Sequence, residues 1–292
     1  MMELLDEQVA RIRAAFAKPL FFIAGTERSG TTWLQLLMDS HPEIACRGEG
    51  HLIDHLFPKL DEALEGYRTA VGRFNQSYFK DTAGFPTLDG EHEMFLKRMI
   101  VGSLLAAYEP PDGCKVIGEK TPGNIRHLNV LNTMFPGCRF VFIVRDGRDV
   151  AVSLWHHGRQ NKSGDDRPPL DDLTRRLAKS WCKDIKRARD FADDHPDRTC
   201  IVRYEDLHGN PQDALRGIFE FLGVDTGAEA IEASIAGADF KKFSGGRSRG
   251  EEDKKSQFRK GIVGDWRNHD EADINAIFRD IAADYMDEYD YR

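Results

Sequence analysis

Leu20–Ser40 constrains this chain more than any other stretch. An apolar run, Leu20–Ala24, gives way to a loop bounded by Gly25 and Gly30. Thr31-Thr32-Trp33-Leu34 then starts a new period, with Leu34, Leu37 and Met38 on one helical face. Strand, glycine-bounded turn and helix N-terminus aim successive backbone N–H groups at an anion, reinforced by the positive end of the helix dipole. The pattern nearly matches GxxxxGK(S/T), but Thr31 stands at the lysine position and the cation moves back into the loop as Arg28. The stretch predicts a phosphate cradle that does not handle an ordinary γ-phosphate.

Three further apolar runs, Cys114–Gly118, Arg139–Val144 and Thr199–Tyr204, read as buried strands. Helical patterns lie between them, including Ile125–Met134, a helix ending at His157, Leu170–Asp194 and Pro211–Leu222, with a last one over Glu271–Tyr285. Strands alternating with helices predict an α/β fold, a P-loop-like parallel sheet flanked by helices, with ligands at the carboxyl ends of the strands. Pro42–Gly50 and Gln160–Pro169 read as loops. Residues 1–18 form an amphipathic helix with Leu5, Val9, Ile12 and Phe16 on one face, and 19–292 is expected to be one domain. Within it, 51–113 is a helical insert, and 241–267, rich in Gly, Ser, Lys and Arg, is a covering loop.

The balance of 41 basic against 49 acidic residues, a net charge of −8, argues against a general nucleic-acid binder, whose affinity comes from phosphate neutralisation. Five dispersed cysteines without a CxxC pair predict free thiols in a reducing compartment. No run has the length of a membrane span, and residues 1–18 are too charged for a signal peptide, so a cytoplasmic protein with no membrane partner is expected.

Two other stretches carry anion chemistry. Phe140–Ser153 places Arg145 at a strand exit and Ser153 two helical turns later, a pair suited to a phosphate unless Asp146 or Asp149 claims the arginine. Phe258–Asn268 sets Arg259 and Lys260 against Gly261, either around one anion or as a solvated basic loop.

Together these stretches resemble the sulfotransferases that use 3′-phosphoadenosine 5′-phosphosulfate (PAPS). ERSGTTW (Glu27–Trp33) is similar to the family's 5′-phosphosulfate loop, VRDGRDVAVS (Val144–Ser153) to its 3′-phosphate strand and helix, and RKGIVGDW (Arg259–Trp266) to the C-terminal motif of the cytosolic enzymes. VRYEDL (Val202–Leu207) is a fourth family stretch, and the four lie in the family's order. The resemblance implies that Ser29, Gly30, Thr31 and Thr32 hold the 5′-phosphate. It implies further that Trp33, Tyr204 and Phe240 form the purine site, and that Arg145, Ser153, Arg259, Lys260 and Gly261 hold the 3′-phosphate.

In-line sulfuryl transfer needs a base for the acceptor hydroxyl, cations for the transferring group and a donor for the leaving oxygen. Arg28 is placed for the second task, and Lys120, in GEKTP, is similar to the family's catalytic lysine. The base separates the branches. Cytosolic enzymes carry a histidine two residues beyond that lysine, where this chain has Pro122. Protein-tyrosine and several carbohydrate branches use a glutamate after the first helix, which by resemblance is Glu49, with His51 in reserve. His51 and His55, near Glu49 and Asp54, lack a metal-protease or paired-cysteine pattern, and no metal is expected. His156 and His157 are expected to cap their helix against its dipole.

The expected acceptor is a small hydroxylated molecule, walled by 51–113 and 158–172. Phe57, Tyr67, Phe74, Tyr78, Phe79 and Phe85 either line that pocket or pack as core. The dimerisation motif that follows GDW in the cytosolic enzymes is not reproduced in Arg267–Ala276, which leaves the oligomeric state open. The competing readings are a P-loop nucleotide kinase or other phosphotransferase, favoured by a Mg²⁺ requirement, and an inactive nucleotide-binding module, favoured by binding without turnover.

Overall fold

Five parallel strands form one sheet in the order β2-β3-β1-β4-β5. They are β1 (Leu20–Ala24), β2 (Ile44–Arg47), β3 (Val116–Lys120), β4 (Arg139–Val144) and β5 (Thr199–Arg203). The computed structural model describes residues 2–157, 168–253, 256, 259–269 and 273–291. Because every pairing is parallel, all five carboxyl ends lie on one edge of the sheet, and the loop after the central β1 sits at its middle.

The alternation of β1 and β4 sorts the core into two faces. Phe21, Ile23, Val141 and Ile143 pack with Leu34, Leu37 and Met38 of α2 (Thr31–Asp39) and with Leu215, Ile218 and Phe219 of α9 (Pro211–Leu222). Phe22, Ala24, Phe140 and Phe142 turn to the opposite layer. There they meet α4 (Gly90–Ala106), α5 (Leu128–Met134) and α7 (Leu170–Asp194). A third cluster joins α6 (Gly147–His157), α7 and α12 (Ile274–Glu288) around Trp181 and Phe278. The remaining helices are α1 (Met2–Phe16), α3 (Phe57–Tyr78), α8 (Tyr204–Gly209), α10 (Ala228–Gly237) and α11 (Phe240–Phe243).

Two local expectations differ from what is observed, and one helix was not anticipated. β2 lies inside the stretch read as a loop; it is a four-residue edge strand paired only with β3, too short for an alternating pattern. β3 runs to Lys120 rather than Gly118, because Glu119 and Lys120 are drawn into the buried sheet end, where charge masks a strand. α10 carried no sequence expectation at all. Most of the Gln160–Pro169 loop, at 160–167, lies outside the described residues, as do 271 and 272 of the last helix. Among the described residues, no helix is long and apolar enough to cross a membrane.

Candidate active site

A cleft of about 590 Å³ opens over the carboxyl ends of the strands. Every site residue named from the sequence lines it except Ser29 and Lys120. Ser29 is 1 % exposed and directs both its Oγ, at 2.5 Å, and its backbone N–H, at 3.1 Å, to the Thr26 carbonyl. Its side chain therefore shapes the loop from within instead of facing the cleft.

Gly30 caps α2 in the left-handed region, at φ 99°. A Cβ there would lie 2.5 Å from the Tyr204 ring, so this position needs glycine for both conformation and space. Gly30→Ala is expected to lower the melting temperature, through a loss of more than about 1 kcal/mol, and to weaken nucleotide binding at the same time. Thermal denaturation with and without ligand checks both effects.

Lys120, 2 % exposed, lies beneath the cleft at the end of β3. Its Nζ donates to Glu49 Oε1 at 2.6 Å and to Thr32 Oγ1 at 3.1 Å. The β2–β3 register, with Arg47 opposite Glu119, brings Glu49 and Lys120 together although 71 residues separate them. Beside them, Glu119 is buried and accepts from Gly50 N–H, Thr121 Oγ1 and Asn124 Nδ2, while burial pushes its carboxyl above the ordinary range. These bonds fix the Gly50–His51 turn against the end of β3.

Arginines also converge on the cleft. Arg28 sits in the left-handed region at φ 71°, and its Nε reaches Ser153 Oγ at 3.4 Å. Burial, then the neighbouring Arg145 and Arg259, hold the Arg28 guanidinium below its ordinary pKa. An anion placed among the three would relieve that repulsion. Arg145 lies 4.2 Å over the Tyr204 ring and donates to the Ile262 carbonyl at 3.0 Å. Its Nε is buried without a hydrogen-bond partner, a donor left for a ligand. Asp149 approaches Arg145 only to 3.6 Å, while Asp146 is taken by Arg148 through both oxygens.

The C-terminal loop is tied over this part of the cleft. Asp149 accepts from Gly264 N–H at 2.7 Å and from Trp266 N–H at 3.0 Å, joining the loop to α6. Asp265 pairs with both Arg259 and Lys260. Burial alone would raise the Asp265 carboxyl, but hydrogen bonds from Lys260 and Arg259 hold it far below the usual range. Gly261, at φ 62°, packs against Phe240. Trp33 lies edge-on to Tyr204 at 5.4 Å, and its Nε1 is buried without a hydrogen-bond partner.

Sequence reading passed over Arg249, whose guanidinium lies 4.7 Å over Trp33 and 5.9 Å over Phe240; in the sequence it is one cation in a glycine- and serine-rich loop. It also passed over Asp149 and Asp265 as anchors of the basic loop. His156 and His157 lie in the last turn of α6, the position expected for them. His156 is buried between the Trp155 and His269 rings, at 5.0 and 5.3 Å, and His157 lines the cleft. From 51–113 only His51 and Asp54 line the cleft. Phe57 is core, whereas Tyr67, Phe74, Tyr78, Phe79 and Phe85 are exposed, so neither reading offered for the six aromatics describes them all. His51, Asp54 and His55 bring ligand-capable atoms within 4.8 Å of one another. His51 Nδ1 is hydrogen-bonded to Asp54 at 3.0 Å, and its Nε2 lies 3.1 Å from Glu49 Oε2 as an ion-pair contact.

A glycine-bounded turn on a parallel sheet, opening into a cleft lined by several cations, defines an α/β protein of the P-loop-like kind. Residues 19–228 match the model of the sulfotransferase family, and the chain belongs to that family. It is 27% identical over 227 residues to protein-tyrosine sulfotransferase 2 of Gallus gallus, covering 76% of this chain and 55% of that protein. To protein-tyrosine sulfotransferase 1 of Danio rerio it is 27% identical over 208 residues, covering 70% and 53%. The chain thus spans about half the length of these curated relatives. Among solved structures it shares its fold with mouse sulfotransferase SULT7A1 complexed with PAP, at TM-score 0.55, 17% identity and coverage of 92% and 84%. Sulfotransferase STF9 from Mycobacterium avium gives TM-score 0.56 at 16% identity, with coverage of 98% and 80%.

Proposed function

We propose that this chain transfers the sulfuryl group of PAPS to an acceptor hydroxyl by in-line displacement, with Glu49 as base. The observation that carries the proposal is the Lys120–Glu49 contact of 2.6 Å beside a cleft into which Arg28, Arg145 and Arg259 also converge. The residues fit a nucleotide with phosphates at both ends: the Gly30–Trp33 turn and Arg28 for the 5′ side, Arg145, Ser153, Arg259, Lys260 and Gly261 for the 3′ side. Trp33, Tyr204 and Phe240 supply the aromatic walls for a purine.

Glu49 removes the acceptor proton as the new O–S bond forms. Arg28 offsets charge on the transferring group, and Lys120 stabilises the leaving phosphate oxygen as the old S–O bond breaks. Lys120 must exchange part of its contact with Glu49 for the substrate, which frees the carboxylate when the donor is bound. A Mg²⁺-dependent phosphotransferase is less well supported, because Asp146, its would-be metal carboxylate, is bound to Arg148.

The acceptor is a hydroxyl compound, and a small molecule is the reading from the sequence. A peptide tyrosine is the second reading, favoured by the protein-tyrosine sulfotransferases among the relatives. The five free cysteines support a cytoplasmic location. Calorimetric titration without Mg²⁺ tests the proposal: tight binding of 3′-phosphoadenosine 5′-phosphate (PAP) over ADP is expected. Preference for ADP, or no binding of either, overturns it. Mass-shift assays with PAPS and either a tyrosine peptide or simple phenols and alcohols then separate the two acceptor readings.

A further inference from the structure

We infer that His51 and Asp54 form a proton relay behind Glu49, draining the acceptor's proton from the cleft to solvent. This rests on the proposed role of Glu49 as base. The chain of contacts is continuous: Lys120 Nζ to Glu49 Oε1, Glu49 Oε2 to His51 Nε2 at 3.1 Å, and His51 Nδ1 to Asp54 Oδ2 at 3.0 Å. Glu49, His51 and Asp54 all line the cleft, and the His51 and Asp54 side chains are 39% and 32% exposed, so the chain reaches solvent.

A surface ion pair between residues three apart contributes little by itself. Two features distinguish this one. Each imidazole nitrogen faces a different carboxylate: Nδ1 is hydrogen-bonded to Asp54, and Nε2 lies 3.1 Å from Glu49 Oε2. The backbone is held as well: His51 N–H meets Thr121 Oγ1 at 3.3 Å and the preceding Gly50 N–H meets the buried Glu119 at 2.9 Å. A π-helical turn, Leu52–Leu56, follows and brings Asp54 back beneath the ring.

The transfer balances as follows. The acceptor O–H proton passes to Glu49 while the acceptor oxygen bonds to sulfur, and the electron pair of the broken S–O bond stays on the leaving phosphate oxygen. Glu49 then passes the proton to neutral His51 Nε2, whose Nδ1–H remains donated to Asp54. The imidazolium releases one proton to water, matching the single proton that sulfation of a hydroxyl liberates. An imidazole already protonated cannot accept, so activity should rise with pH through the His51 titration.

The groups facing His51 set where that titration falls. The hydrogen bond to Asp54 raises His51 above its ordinary value; burial opposes this, and the charges of Asp54, Glu49 and Glu119 add to the rise. The His55 ring lies 4.9 Å away, and Lys120 reaches His51 only through Glu49.

The test compares the wild type with Asp54→Asn and His51→Gln, using a tyrosine peptide as acceptor and histidine imidazole NMR as an acceptor-free readout. In Asp54→Asn the His51 titration and the acid limb of kcat should both move to lower pH. In His51→Gln that limb should disappear, with kcat at pH 8 reduced about tenfold and PAP affinity unchanged. An unmoved limb in both variants, or an unmoved His51 titration in Asp54→Asn, overturns the relay. If the peptide is not sulfated, the NMR titration decides alone. Should His51→Gln fail to fold, Asp54→Asn, at a half-exposed side chain, still decides. Loss of PAP binding by the wild type would instead overturn the sulfotransferase reading.

Discussion

Glu49→Gln should lower kcat by about 10²–10⁴-fold, the range a positioned general base contributes. Glutamine keeps the shape and a hydrogen-bonding oxygen for Lys120, so the fold around β2 and β3 is expected to persist. PAP affinity should stay the same or improve, because a neutral amide holds Lys120 less strongly than the carboxylate that meets it at 2.6 Å. This split separates a base from a structural carboxylate, whose loss would reduce stability and binding together. Single-turnover transfer from PAPS, beside calorimetry with PAP, measures both halves. A variant that retains wild-type kcat would remove Glu49 from the mechanism and leave His51 as the base.

Arg145→Ala should weaken PAP binding by about 3 kcal/mol, roughly a hundredfold, because charge-assisted hydrogen bonds to a buried phosphate are lost. Arg145 does more than present charge. It lies 4.2 Å over Tyr204 and donates to the Ile262 carbonyl at 3.0 Å, so it also joins β4 to the covering loop. Arg145→Lys keeps the charge without the planar fork and should recover only part of the affinity. ADP has no 3′-phosphate, so its binding should change far less than that of PAP. An equal loss for both nucleotides would reassign Arg145 to holding the loop rather than the ligand.

These two residues show how legible the site was. The phosphate loop, Arg145 and the Arg259–Gly261 motif each sit on a contiguous stretch with its own pattern, so short-range sequence order exposes them. Glu49 was reachable only by resemblance and spacing, because β2 is a four-residue edge strand without a pattern of its own. The anchoring roles of Asp149 and Asp265 were hidden for another reason. Their work is to accept backbone and side-chain hydrogen bonds from the basic loop, and no local period marks an acceptor whose donor lies elsewhere. Exposure of Tyr67, Phe74, Tyr78, Phe79 and Phe85 was equally unreadable, since helical spacing reports which side chains share a face and not what covers that face.

Hydrophobic periodicity and glycine placement therefore determined the α/β class, the central strand and the phosphate loop, because these depend on residues near one another in the chain. Tertiary structure decided the chemistry. Parallel pairing carries Lys120 at the end of β3, Glu49 beyond β2 and Arg145 beyond β4 to one edge of the sheet. A charged side chain becomes a base or an electrophile only through the partner that faces it. In this protein those partners, Glu49 for Lys120 and Asp54 for His51, are set by strand register and by the turn that follows.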